Sequence, residues 1–134
     1  MGNTASAFGA GSIAEFDKST ALGAYANGRG YQSLSVGRTN VAAGNNSVSI
    51  GYKSYAHNGY IDEDTYKALS PERAGKYFEA SGLAVYFLKD TTDGTVTRDT
   101  YLNTAVGTYS RAAKHGTTVG GVTSAEENGT SIGT

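Results

Sequence analysis

Leu34-Ser35-Val36-Gly37 and Val48-Ser49-Ile50-Gly51 are one phrase written twice, fourteen residues apart. The phrase stands earlier, at the same interval, as Ser6-Ala7-Phe8-Gly9 and Thr20-Ala21-Leu22-Gly23. It returns as Thr104-Ala105-Val106-Gly107, Thr117-Thr118-Val119-Gly120 and Thr130-Ser131-Ile132-Gly133. A fixed short period means stacked, equivalent units, and it outweighs residue-by-residue propensity. Fourteen residues is too short for a pair of helices. It fits two short strands and two turns, one coil of a parallel β-solenoid. The last glycines, Gly107, Gly120 and Gly133, are thirteen apart, which predicts shortened corners with the strands kept.

Within the phrase, the residue before the glycine is always large and apolar: Phe8, Leu22, Val36, Ile50, Val106, Val119 and Ile132. The residue before that is always small: Ala7, Ala21, Ser35, Ser49, Ala105, Thr118 and Ser131. Adjacent strand residues point to opposite faces. One face therefore carries bulk, the other only small groups, and neither carries charge. Such a strand is expected to be buried on both sides. One side can be the narrow inside of the coil. The other needs a second surface, most simply another copy of the chain. The second half of each coil is looser. Ser12-Ile13-Ala14, Asn40-Val41-Ala42, Ser54-Tyr55-Ala56 and Ser110-Arg111-Ala112 share a small-x-Ala phrase whose variable middle residue marks an outward position. Corners fall to the seven repeat glycines and to Asn27-Gly28, Gly44-Asn45-Asn46, His57-Asn58-Gly59 and Asn128-Gly129. Gly and Asn accept the left-handed backbone that sharp corners need.

The 134 residues are one domain's worth of chain, with 19 Gly, 10 Tyr, one Pro, no Trp and no Cys. Small side chains bury little apolar area each, so stability must come from backbone ladders and partner chains. A net charge of −1 shows no basic stripe for phosphates and disfavours nucleic acid. Without Cys there are no disulfides and no thiolate metal sites. Met1-Gly2-Asn3-Thr4 lacks a basic start and no apolar stretch follows, so no signal peptide is read. No run approaches the roughly 20 apolar residues of a membrane helix. The chain opens and closes inside the repeat pattern and is expected to be a piece of something longer.

Asn46-Ser47-Val48-Ser49-Ile50-Gly51-Tyr52-Lys53-Ser54-Tyr55-Ala56 resembles the head repeat of trimeric autotransporter adhesins of the YadA type, usually an Asn-Ser-Val-Ala-Ile-Gly-x-x-Ser-x-Ala phrase. Ser33-Leu34-Ser35-Val36-Gly37 and Ser19-Thr20-Ala21-Leu22-Gly23 are looser copies, and the resemblance covers residues 4–56 and 103–134. It implies a left-handed parallel β-roll and a homotrimer, with the seven large residues in the roll and trimer core. It also implies a bacterial surface adhesin, reaching the outer membrane only through an anchor domain absent from this fragment. Partners would be a host matrix protein, a cell-surface protein or a glycan.

Between Ala56 and Asn103 the beat stops, which divides the chain into roll (1–56), an inserted α+β lobe (57–102) and roll again (103–134). Five of the ten tyrosines fall in the insertion, with Asp62, Glu63, Asp64, Glu72, Glu79, Asp90, Asp93 and Asp99. Ser70-Pro71-Glu72 predicts a helix start, with Ala74, Tyr77, Phe78 and Ser81 on one face and Gly82 as the stop. Asp62-Glu63-Asp64 starts a shorter helix ending near Leu69. Leu83-Ala84-Val85-Tyr86-Phe87-Leu88 reads as a buried strand, Asp93-Gly94 as a hairpin turn and residues 95–102 as the returning strand, setting Tyr86 opposite Tyr101.

No residue set asks for catalysis, a cofactor or a metal. The carboxylates at 62–64 lack the spaced ligands and glycine of a calcium loop and suit a helix N-terminus instead. His57 and His115 are single and expected at solvated corners. Asn45-Asn46-Ser47 and Asn128-Gly129-Thr130 fit a glycosylation pattern that such a composition yields by chance. Tyr77, Phe78, Tyr86 and Phe87 are expected to form the insertion's own core, and the insertion to project as a separately folded lobe. Tyr60, Tyr66 and Tyr101, flanking that core, are the expected ligand-binding surface. The function read from this is an adhesin head without catalysis. A phage tail-fibre trimer would share the architecture. A hexapeptide-repeat acyltransferase would need an aliphatic every sixth residue, which fourteen does not keep. An ice-binding face would need an unbroken threonine ladder, and Leu34 and Val48 interrupt it.

Overall fold

The computed structural model describes residues 4–57, 59–80, 85–88, 103–113, 116–126 and 128–133. The first four coils each give a three-residue strand and then a two-residue strand. These are β1 (Ser6–Phe8), β2 (Ile13–Ala14), β3 (Thr20–Leu22), β4 (Asn27–Gly28, a paired strand where a corner was expected), β5 (Leu34–Val36), β6 (Val41–Ala42), β7 (Val48–Ile50) and β8 (Tyr55–Ala56). The chain then forms β9 (Tyr60–Asp62), α1 (Glu63–Lys67), α2 (Pro71–Ala74), β10 (Tyr77–Glu79) and β11 (Val85–Leu88). Coiling resumes with β12 (Thr104–Val106), β13 (Arg111–Ala112), β14 (Thr117–Val119), β15 (Ser124–Ala125) and β16 (Thr130–Ile132).

The three-residue strands stack as one parallel sheet in the order β1-β3-β5-β7-β12-β14-β16. The two-residue strands stack as a second, β2-β4-β6-β8-β13-β15. The register is the one the glycines dictate: Phe8 beside Leu22, Leu22 beside Val36, Val36 beside Ile50. It carries across the long gap, with Val48 beside Thr104 and Ile50 beside Val106. The thirteen-residue coils keep their strands paired, Val106 with Val119 and Val119 with Ile132. Gly116 and Gly129 N–H reach the carbonyls of Ala113 and Glu126, as Ser33 and Ser47 N–H reach those of Gly30 and Gly44 in the longer coils.

The inside of the roll is narrow, so the small face turns inward. Ala21, Ser35, Ser49, Ala105 and Thr118 are fully buried. The Thr118 hydroxyl has no hydrogen-bond partner among the described residues, but the serine hydroxyls inside and at the corners have backbone close by: Ser19 Oγ donates to the Phe16 carbonyl and Ser33 Oγ to that of Gly30. Ser49 Oγ donates to the Ser54 carbonyl at 2.8 Å. This is how a polar interior stays satisfied. The repeat glycines are required by geometry as well as by φ. Gly37 has φ +132, and a Cβ there would overlap the carbonyl oxygen of Gly51 one coil away.

The stretch between β8 and β12 departs from expectation. β9, β10 and β11 form an antiparallel sheet in the order β10-β11-β9. Phe78 and Phe87 are buried, but they cluster with Val41, Ala43 and Tyr55 of the roll. The expected separate core is thus a shared one, and Tyr77 and Tyr86 lie half-buried on the other face of the sheet. The helix from Ser70 is only four residues long. Gly75 caps it, and residues 77–79 pair with β11 instead, because Phe78 gains more from facing Phe87 and the roll than from a helix face. The shorter helix is as expected, with Asp62 as N-cap. Tyr86 sits between Glu79 on one side and Ile61 on the other. Gly82, the turn at 93–94 and the whole returning strand (95–102), Tyr101 included, lie outside the described residues.

Candidate functional site

Two outward surfaces come from this fold. The first is apolar. Phe8, Leu22, Ile50, Val119 and Ile132 are exposed on the outer face of the seven-stranded sheet, Phe8 by 77% and Ile132 by 76%, with Val36 and Val106 half-exposed between them. Strand alternation puts all seven in one column along the stack, and among the described residues none covers them.

The second surface runs down the corner that joins the two sheets. Here each coil needs one residue at positive φ just after the repeat glycine, and side chains of any size stand there: Tyr25, Thr39, Lys53, Tyr109 and Val122. Stacking brings their neighbours into a strip. The Arg38 guanidinium lies 5.9 Å from the Tyr52 ring. Lys53 Nζ lies 5.4 Å from Tyr52 and 5.9 Å from Tyr109. The two rings meet edge-to-face at 5.5 Å. Arg111 lies 5.9 Å from Tyr109 and 3.7 Å from the buried Tyr55 ring. Its Nη1 donates to the Lys53 and Ser110 carbonyls, fixing the guanidinium plane. Burial pushes the Tyr55 phenol up, against the opposite pull of Arg111. Beyond Tyr55 comes Tyr60 at 5.7 Å, 44% exposed.

Of the three tyrosines expected to bind ligand, Tyr60 is exposed at the end of this strip. Tyr66 is elsewhere, half-buried and stacked flat on Tyr86 at 3.8 Å. Tyr101 lies outside the described residues. The seven glycines hold their corners at positive φ. The carboxylates at 62–64 act as a helix start: Asp62 Oδ1 accepts from Thr65 N–H at 2.8 Å, and hydrogen bonding by the Thr65 side chain, then by its N–H, lowers the Asp62 pKa. Among the described residues no His, Cys, Asp and Glu group could hold a metal. His57 corrects an expectation. It is buried rather than solvated, edge-on to Tyr60 at 4.8 Å and near Phe87, with Nδ1 accepting from Gly59 N–H. Burial lowers its pKa to about 4, helped by Arg111. His115 lies outside the described residues. Sequence reasoning missed the strip because its members come from three coils and align only once the long gap is closed. The signal available was an aromatic or basic residue one or two places after Gly37, Gly51 and Gly107.

The YadA head domain repeat matches the chain twice, over residues 2–26 and 29–54. These coils are YadA head repeats. No curated protein and no solved structure matches the chain. The coils from β12 onward stack on the YadA head repeats in unbroken register, so the same roll geometry extends past the matched residues. The matched YadA repeats supply Arg38, Tyr52 and Lys53 of the strip, while Tyr109 and Arg111 come from the coil after the gap.

Proposed function

We propose that the chain is the adhesive head of a trimeric surface adhesin, working by binding and not by catalysis. The observation that carries this reading is the apolar column on YadA head repeats: seven large side chains in register, outward, with only small groups inside the roll. A column so placed calls for an equivalent surface, and cyclic packing of identical chains provides one. The head then stands on the bacterial surface, attached through an anchor domain, and meets a matrix protein, a cell-surface protein or a glycan. The stretch 57–102 is an insertion into this head.

Light scattering tests the assembly. The expected mass is three times 13.8 kDa, and a stable folded monomer would overturn the trimer. Beads coated with the head test adhesion against immobilised matrix proteins and cultured cells, with retention above uncoated beads as the expected result. Calorimetry with acetyl-coenzyme A addresses the enzyme rival, and saturable micromolar binding would revive it.

A further inference from the structure

We infer that Arg38, Tyr52, Lys53, Tyr109 and Arg111 form a binding site for an acidic polysaccharide, a chain of sulfated or carboxylated sugars lying across the coils. The inference deepens the adhesin reading and rests on it for the biological setting. The near-neutral total charge hides a division. Residues 57–102 hold five basic and eight acidic residues, whereas the remainder holds six basic and four acidic. Three of those six cations, Arg38, Lys53 and Arg111, gather in the strip, and among the described residues no carboxylate pairs with any of them. Arg38 is exposed, Lys53 and Arg111 half-exposed, and Tyr109 is exposed between them.

The form of the strip selects the ligand. Coils repeat at about 4.8 Å, so cations from successive coils make a linear array suited to a linear polyanion. Guanidinium groups take sulfate or carboxylate oxygens through paired N–H donors. Tyrosine rings between the cations give sugar rings a C–H surface to lie on, and their hydroxyls a hydrogen-bonding edge. An extended acidic peptide has no comparable foothold. The corner's backbone groups are already used in the stack, Lys53 N–H on the Arg38 carbonyl and Tyr109 N–H on that of Tyr52, so no open strand edge is offered. Nucleic acid would find only three cations to release its counterions. Affinity at one strip is modest, and a polymer that spans several strips gains by multivalency.

The test uses the intact head and a fluorescein-labelled heparin-derived decasaccharide, with a hyaluronan decasaccharide as the carboxylate-only arm. Polyglutamate and a single-stranded oligonucleotide are the competing polyanions. The expected result is saturable, salt-sensitive binding of one or both sugars, weakened at least tenfold in R38Q/K53N with circular dichroism and mass unchanged. Asn suits position 53 because it tolerates φ 52. Tyr109→Asn, acceptable at φ 60 for the same reason, should weaken sugar binding at unchanged charge. Loss for the sulfated sugar alone assigns a sulfated source, and loss for both assigns shared carboxylate and sulfate chemistry. Absence of sugar binding, equal binding by R38Q/K53N, or tighter binding of polyglutamate or oligonucleotide overturns the site. If bead adhesion persists in R38Q/K53N and under excess decasaccharide, this site fails while the adhesin reading stands. If the beads adhere to nothing yet the decasaccharide binds, the adhesin reading fails and the site stands.

Discussion

At the scale of single residues, corners decide. Gly37 occupies a backbone region closed to other residues, and its missing Cβ is where the next coil's carbonyl passes. Gly37→Ala should therefore cost at least about 3 kcal/mol, from strained φ and steric overlap together, read as a lowered midpoint in urea unfolding. Val122 shows the opposite case. It has φ 53, is β-branched and is 76% exposed, so it holds a left-handed conformation with no burial to offset the strain. Val122→Asn should raise stability by about 1 kcal/mol, seen as a higher Tm. Other coils meet the same corner with Tyr25, Thr39, Lys53 and Tyr109. Asn103 adapts differently. It stands where Ser19, Ser33 and Ser47 stand in earlier coils. Its longer amide reaches the His57 carbonyl at 2.9 Å and ties the two ends of the gap together.

Among elements, the junction between the three-stranded sheet and the roll is the sensitive place. Phe87 is fully buried between Phe78, Tyr55 and Val41, so Phe87→Ala should cost about 3–5 kcal/mol and perturb the roll as well as β9–β11. His57 makes this junction pH-dependent. Its folded pKa lies below the usual value, so the unfolded chain binds the proton more readily. Stability from His57 is complete above about pH 6.5 and is lost as pH falls from there to about 4, by up to about 3 kcal/mol. The wild type should lose more stability than His57→Gln across that window in parallel urea melts. The roll strands were legible in the sequence because Leu22, Val36 and Ile50 recur at a fixed interval, and a stack is a local rule repeated. The intervening elements were not, because their partners are distant. Nothing near Phe78 announces Phe87 and Val41 as its neighbours, so a capped start at Ser70 read as a longer helix. Tyr60, Ile61 and Asp62 are too few to read as a strand before β11 is in place. The burial of His57 follows from that same assembly, as does the strip from Arg38 to Arg111.

For the whole molecule, the proposed packing through the apolar column would make assembly and stability one quantity. Ile50 and Val106 are at least partly open to solvent in a single chain, so Ile50→Ala or Val106→Ala should leave the coil intact and weaken the proposed trimer. The expected cost is about 2–4 kcal/mol per site, and light scattering on dilution should show dissociation at higher concentration than for the wild type. The register across the gap also bears on how the chain reaches this state. Within the roll, neighbouring rungs such as Val36 and Ile50 are fourteen residues apart, whereas Val48 must find Thr104, a fourfold longer closure. Loop entropy rises only with the logarithm of length, so the added penalty is about 1 kcal/mol. That is small for stability but large for sequence of events. Four coils can wind from nearest-neighbour contacts alone, and the three after the gap can do the same. The step that joins them is the one long-range search in the roll. Winding should thus proceed as two spools that lock at a single seam, and a folding intermediate, if trapped, should be open at the rung between Ile50 and Val106.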